Sequence, residues 1–207
     1  MPKRPQPEQR LEELAERTEG LQPWRRLLHL VTGTLIALAA YTLEPQSVPL
    51  RWLFGGLLAI VLLTDVLRLN FEDLNRFVFR TFGALMCPRE AKHLSLTWFL
   101  LGVFVTLWFP GEGVAVAAIL VLSLADPAAS VVGRIWGAHR LGKGTLEGTL
   151  AFFLTAVAVL VPFVGVPWAL PVAALVAVVE VLPTGMDDNL LIPVTTAGCL
   201  WALSGLT

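Results

Sequence analysis

A chain of 207 residues that is 56% hydrophobic, with a mean hydropathy of +0.71, has too little polar surface to cover itself as a soluble domain and reads as an integral membrane protein. The formal charge of −1 conceals an asymmetry, because the basic residues fall in blocks and the long apolar runs carry almost none; no nucleic-acid partner is expected. Two cysteines, Cys87 and Cys199, make neither a metal-ligand spacing nor a disulfide framework and are read as unpaired thiols.

Residues 1–22 are polar, mix Lys3, Arg4, Arg10 and Arg17 with acidic residues, and hold no apolar core of a cleaved signal peptide. They are expected to be a cytoplasmic segment without chemistry, either a short interfacial helix carrying Leu11, Leu14 and Thr18 or a disordered tail. From 23 to 207 the reading is one membrane-embedded, all-α domain. Its apolar segments at 27–43, 50–67, 94–109, 114–136, 150–166, 168–182 and 190–206 predict about seven transmembrane helices. Six Lys and Arg precede the first segment, Arg51 alone follows it, five lie in 68–93 and three in 134–149. Fourteen of the fifteen therefore fall on one side, which the positive-inside bias makes cytoplasmic.

His29 opens the first segment after Arg25 and Arg26 and is read as a hydrogen-bonded interface residue. In 65–93, Asp65 and Arg68 are i, i+3 neighbours at a helix end, which favours an ion pair; the alternative is that Arg80 and Arg89 reach a phosphate, which a guanidinium fork suits. A charge at membrane depth costs roughly 2.5–3.5 kcal/mol on insertion scales, so Asp126 needs a partner or a task, and metal or catalytic work is favoured over a cap. Asp126-Pro127 also predicts the start of a new helix, with Asp126 as N-cap and Pro127 at the first position. Along that helix Asp126, Ser130, Gly133 and Gly137 share one face, where the glycines serve close helix packing or a bare binding surface.

The loop that follows nearly matches a phosphate-binding G-x-x-x-x-G-K-[ST], but Gly144 stands where a hydroxyl belongs and no strand precedes it. Gly142, Gly144 and Gly148 still let backbone N–H groups approach a phosphate, Lys143 adds charge, and Thr145 is placed to cap the next helix. The plainer reading makes Arg134, Arg140 and Lys143 a topology-setting basic loop. Asp187-Asp188-Asn189 lies in a connection without basic residues, which suits Mg²⁺ or another divalent cation, or else forms a polar turn capped by Asn189. Glu180 either pairs with an arginine or joins that site.

From about Trp24 to Ile192 these pieces occur in an order that resembles the CTP-dependent lipid kinase family of dolichol kinase, phytol kinase and yeast-type diacylglycerol kinase. The resemblance is carried by Asp65-x-x-Arg68-Leu-Asn70, Asn75, Arg80-Thr-x-Gly83, Glu90, Asp126-x-Ala-Ala-Ser130-x-x-Gly133-Arg134-x-x-Gly137, Lys143-x-x-x-Glu147-Gly148 and Asp187-Asp188-Asn189. It implies transfer of the γ-phosphoryl group of CTP to the hydroxyl of a membrane lipid alcohol, in a bacterial inner membrane or an ER-type membrane, with the active site facing the cytoplasm. Asp126, Lys143 and Asp188 would be catalytic, and Asp126, Asp187 and Asp188 would hold Mg²⁺. Ser130, Gly133, Arg134, Gly137, Lys143, Thr145, Glu147, Gly148 and Asn189 would bind the nucleotide; Asp65, Arg68, Asn75, Arg80 and Glu90 would contact lipid or phosphate. Ala125 departs from a glycine common in the family, and Gly144-Thr145 from a serine after the lysine. Cytidylyl transfer of the CDP-diacylglycerol synthase type stays open, whereas a transporter would show repeats in both halves that this chain lacks.

Overall fold

The computed structural model describes residues 23–43, 47–82, 95–111 and 113–204, so Cys87, Arg89, Glu90 and the segment 1–22 lie outside the described residues. Within them the chain is helical apart from one tiny hairpin. The elements are α1 (Pro23–Leu43), α2 (Val48–Asn70), α3 (Glu72–Phe82), α4 (Ser95–Thr106), α5 (Val114–Ile135), β1 (Arg140–Leu141), β2 (Gly144–Thr145), α6 (Leu146–Val181) and α7 (Asp188–Ser204).

Helix α5 is the centre of the bundle, packed by α1, α6 and α7, with Ala117, Ala118, Ile119, Val121 and Leu122 fully enclosed. Its small residues permit close approach. A Cβ on Gly33 of α1, for example, would overlap the Ser123 hydroxyl. Outward faces behave oppositely, leaving Leu35, Leu53, Ile60, Leu63 and Leu154 largely exposed, as lipid contact requires.

Among the described residues, length and composition qualify four helices as membrane-crossing, within Arg26–Leu43, Val48–Asn70, Val114–Ile135 and Leu146–Val181, against the seven expected. Helix α4 has 12 described residues and α7 has 17, about 18 and 25 Å of helix. The fifth and sixth expected segments are continuous in α6, whose 36 residues would extend about 54 Å if straight. It is not straight: the Lys143 N–H donates to the Val181 carbonyl at 3.1 Å, so the two ends of α6 lie together. The chain reverses at Gly165, whose φ of 72° and ψ of 166° are open to glycine and strained for other residues, and Pro167 follows. α6 is therefore a hairpin of two helical limbs.

Pro127 lies inside a continuous helix. The helix does not restart at Asp126; α5 begins after Gly113 and runs through Pro127 to Ile135. The proline removes a single backbone donor, and packing by α1, α6 and α7 holds the helix across that loss.

The hairpin sorts the molecule into two ends. At one, Gly111, Phe163, Trp168 and Leu203 line a cavity of about 360 Å³; Leu107 and Trp108, just before Gly111 in sequence, meet Arg51, which donates to the Leu107 carbonyl at 3.0 Å and sits 4.5 Å over the Trp108 ring. At the other lie the C-terminal part of α5, the β-hairpin and the 182–187 connection. Single cysteines at Arg140 and Thr184, in a background lacking Cys87 and Cys199, should label from one membrane face, and one at Pro110 from the other. Labelling of Arg140→Cys and Thr184→Cys from opposite faces would overturn the arrangement.

Candidate active site

Three carboxylates from three elements converge at the basic end. Asp126 comes from the C-terminal half of α5, Glu180 from the last turn of α6 and Asp188 from the first turn of α7, and one oxygen of each lies within 4.8 Å of the others. Asp126 stands nine residues before Ile135, about 13 Å along the helix, so the cluster is recessed from the helix end. The sequence leaves Glu180 open between an arginine partner and this site, and gives no sign of its company with Asp126.

Lys143 is delivered to this cluster by the hairpin. β1 and β2 pair antiparallel, Arg140 opposite Thr145 and Leu141 opposite Gly144. Gly142 holds a φ of 52°, and a Cβ there would overlap the Val181 carbonyl, so the tip can rest on the end of α6. From that seat the Lys143 ammonium donates to Asp188 Oδ1, joining residues 45 apart in sequence.

The charge balance is unfavourable as it stands. Carboxylates with oxygens within 4.8 Å of one another repel, when ionised, by on the order of 3 kcal/mol or more per pair at an effective dielectric of 20, and one ammonium offsets only part of this. Hard oxygen donors on converging elements fit a divalent cation such as Mg²⁺.

The other expected residues divide. Asp187 stands beside the cluster: its Oδ1 accepts the Asn189 N–H at 3.0 Å and its carbonyl accepts from Leu190 and Leu191, so it starts α7 in the capping role expected of Asn189. Asn189 lies at a tight crossing, where a Cβ on Gly102 of α4 would overlap its carbonyl. Thr145 caps α6 as expected, its Oγ1 accepting from Gly148 N–H at 3.1 Å. Gly133 and Gly148 bring α5 against the first turn of α6: a Cβ on Gly148 would stand 2.9 Å from the Ala129 carbonyl and 3.3 Å from Gly133 Cα. Gly137, expected on the same helix face, lies beyond the end of α5 at Ile135 and there faces the Thr145 side chain; Arg134 is on the exposed last turn of α5.

Arg26 enters as a residue to which the sequence assigns only a topological part. Its Nη2 donates to Ser130 Oγ at 2.6 Å, four residues along α5 from Asp126, and one turn on, His29 meets Phe99 edge-on at 5.0 Å. A basic pair at a helix start carries a topological signal whether or not it also reaches a site, so its second role is not legible there.

Asp65 and Arg68 form the expected ion pair, 2.6 Å apart and buried. The second Asp65 oxygen accepts from Thr97 at 2.5 Å and Arg68 donates to Asn75 at 3.3 Å, so the pair ties α2 to α3 and α4. Arg80 is exposed on the last turn of α3.

The sequence is 30% identical over 161 residues to the CTP-dependent diacylglycerol kinase 1 of Schizosaccharomyces pombe, covering 67% of this chain and 74% of that protein. It is 30% identical over 193 residues to the dolichol kinase EVAN of Arabidopsis thaliana, covering 82% of this chain and 33% of that one. With the phytol kinase of Synechocystis sp. it shares 27% over 196 residues, 88% of this chain and 79% of the other. The chain spans less than half of the diacylglycerol kinases of Eremothecium gossypii and Saccharomyces cerevisiae, 43% and 47%. No family model and no solved structure matches the sequence. The match across 74% of the S. pombe kinase, at 30% identity and in company with a dolichol and a phytol kinase, shows that this membrane protein belongs to the CTP-dependent lipid kinase family.

Proposed function

We propose that the protein transfers the γ-phosphoryl group of CTP to the hydroxyl of a membrane lipid alcohol, on the cytoplasmic side of the membrane. The observation that supports this best is the meeting of Asp126, Glu180 and Asp188 with Lys143, recessed within a lipid-facing bundle at the end rich in basic residues. A hydroxyl anchored in the bilayer reaches that depth without leaving the membrane, while the exposed hairpin faces the aqueous nucleotide.

Phosphoryl transfer asks a site for positioning and charge stabilisation more than for covalent chemistry. Asp126, Glu180 and Asp188, with Asp187 beside them, would hold a divalent cation, which neutralises charge on the phosphate oxygens. Phosphate oxygens compete with Asp188 for the Lys143 ammonium. Ser130, with Arg26 bonded to it, and Arg134 would contact the nucleotide, beside the Gly133–Gly148 contact and the Thr145 cap. The lipid oxygen bonds to the γ-phosphorus as the β–γ bridge breaks, its proton passes to a carboxylate of the cluster, and CDP leaves.

Purified protein given CTP labelled in the γ-phosphate and a panel of diacylglycerol, a polyprenol and phytol should place label in a lipid phosphate, and EDTA should abolish the reaction. Turnover undiminished without divalent metal would overturn the cation assignment. Label entering lipid from the α-phosphate, with release of pyrophosphate, would establish cytidylyl transfer instead.

A further inference from the structure

We infer that Glu147 is a positioning residue, whose carboxylate latches the base of the hairpin to His139 and so holds Lys143 over Asp188. The inference rests on the proposed role of Lys143, and it gives Glu147 work other than nucleotide contact. Both of its oxygens are engaged: Oε1 with His139 Nδ1 at 2.7 Å, and Oε2 with the His139 backbone N–H at 3.3 Å. An ionised carboxylate only accepts, so Nδ1 carries the proton and donates. A third bond joins the same two turns, the Leu146 N–H donating to the His139 carbonyl at 2.9 Å.

The hairpin needs such fastening because little else holds it. Each strand has two residues, far below what pairs stably alone, and Arg140, Leu141, Gly142 and Lys143 are exposed, so its first strand and tip bury little apolar surface. Its tip is tied by the Lys143 N–H to the Val181 carbonyl at 3.1 Å, and its base by Glu147. An isolated exposed ion pair contributes little, and His139 is 75% exposed, but here three bonds converge on one residue and close a short loop. Lysine carries its charge on a flexible four-carbon stem, so where the ammonium reaches depends on where the backbone is seated.

A double-mutant cycle on the full chain tests the latch. Glu147→Ala should lower kcat/KM for CTP about tenfold, His139→Ala by up to as much because the backbone N–H at 139 still reaches Glu147, and the double variant by no more than about tenfold, because both act on one device. Glu147→Gln, which keeps one carbonyl acceptor for His139, should recover most of the activity. Hydrogen exchange gives a readout independent of turnover: the Lys143 amide should lose protection in either alanine variant while amides in the first limb of α6 keep theirs. Losses that multiply to about a hundredfold, or an inactive Glu147→Ala with the Lys143 amide still protected, would overturn the latch. Wild-type protein that phosphorylates no lipid would sink the kinase reading alone, since the exchange result still decides the latch.

Discussion

Asp126→Asn is expected to lower turnover about a hundredfold, equivalent to about 2.7 kcal/mol of barrier, while leaving the protein inserted and monodisperse in detergent. Asn keeps the size and one acceptor oxygen but removes the charge that the proposed cation site would use, and supporting shells of such sites already carry about 10- to 100-fold effects. A companion variant separates a cation site from a polar pit. Glu180→Gln removes one of three mutually repelling carboxylates, so the cation-free protein should melt at a higher temperature even as its turnover falls. Wild-type protein should gain stability on adding Mg²⁺, as any ligand of the native state confers, and the two variants should gain less. Lys143→Ala should act with the opposite sign on stability, because Asp188 loses its ammonium, and still cost at least about tenfold in turnover. Labelled-CTP rates and thermal melts with and without Mg²⁺ measure all three, and wild-type rates in Asp126→Asn with unchanged Mg²⁺ response would sink the site.

The parts of this architecture that are legible in the sequence are those set by local composition. Apolar runs mark the helices because burying about 20 such residues in lipid leaves little alternative, and the break between the fifth and sixth runs coincides with Gly165 and Pro167, where φ and the missing donor end one limb. Thr145 is readable as a cap because its hydroxyl acts within three residues. What escapes depends on which faces meet. At Asp126-Pro127 the local signal for a helix start is genuine, yet α5 is enclosed by three neighbours and the packing outweighs one lost hydrogen bond. Asp187 and Asn189 are two residues apart and both good caps; the crossing of Gly102 with the Asn189 backbone seats the helix so that Asp187 takes the role. Glu180 joins Asp126 only because α6 folds back on itself, a long-range event that no spacing encodes. Arg26 reaches Ser130 across 104 residues, where charge distribution alone gives it an adequate topological purpose.

Gly148→Ala is expected to lower stability by about 1–3 kcal/mol, the range for overpacking a close contact, and to lose activity with it. The added methyl would meet the Ala129 carbonyl at 2.9 Å and Gly133 Cα at 3.3 Å, and both are backbone, so neither can rotate aside. Relief requires α5 and the first turn of α6 to separate as units, which carries Thr145, and with it the hairpin and Lys143, away from Asp126 on α5. A glycine elsewhere supplies the control. Gly56 lies inside α2, where an added methyl would meet nothing within 4 Å, so Gly56→Ala should raise stability by up to about 1 kcal/mol through helix propensity alone. Opposite signs for the two substitutions, read by thermal unfolding in detergent, would assign Gly148 to the packing of α5 on α6. Wild-type stability in Gly148→Ala together with a raised KM for CTP would assign it instead to the approach of the nucleotide, and the packing argument for the Gly133–Gly148 contact would fall.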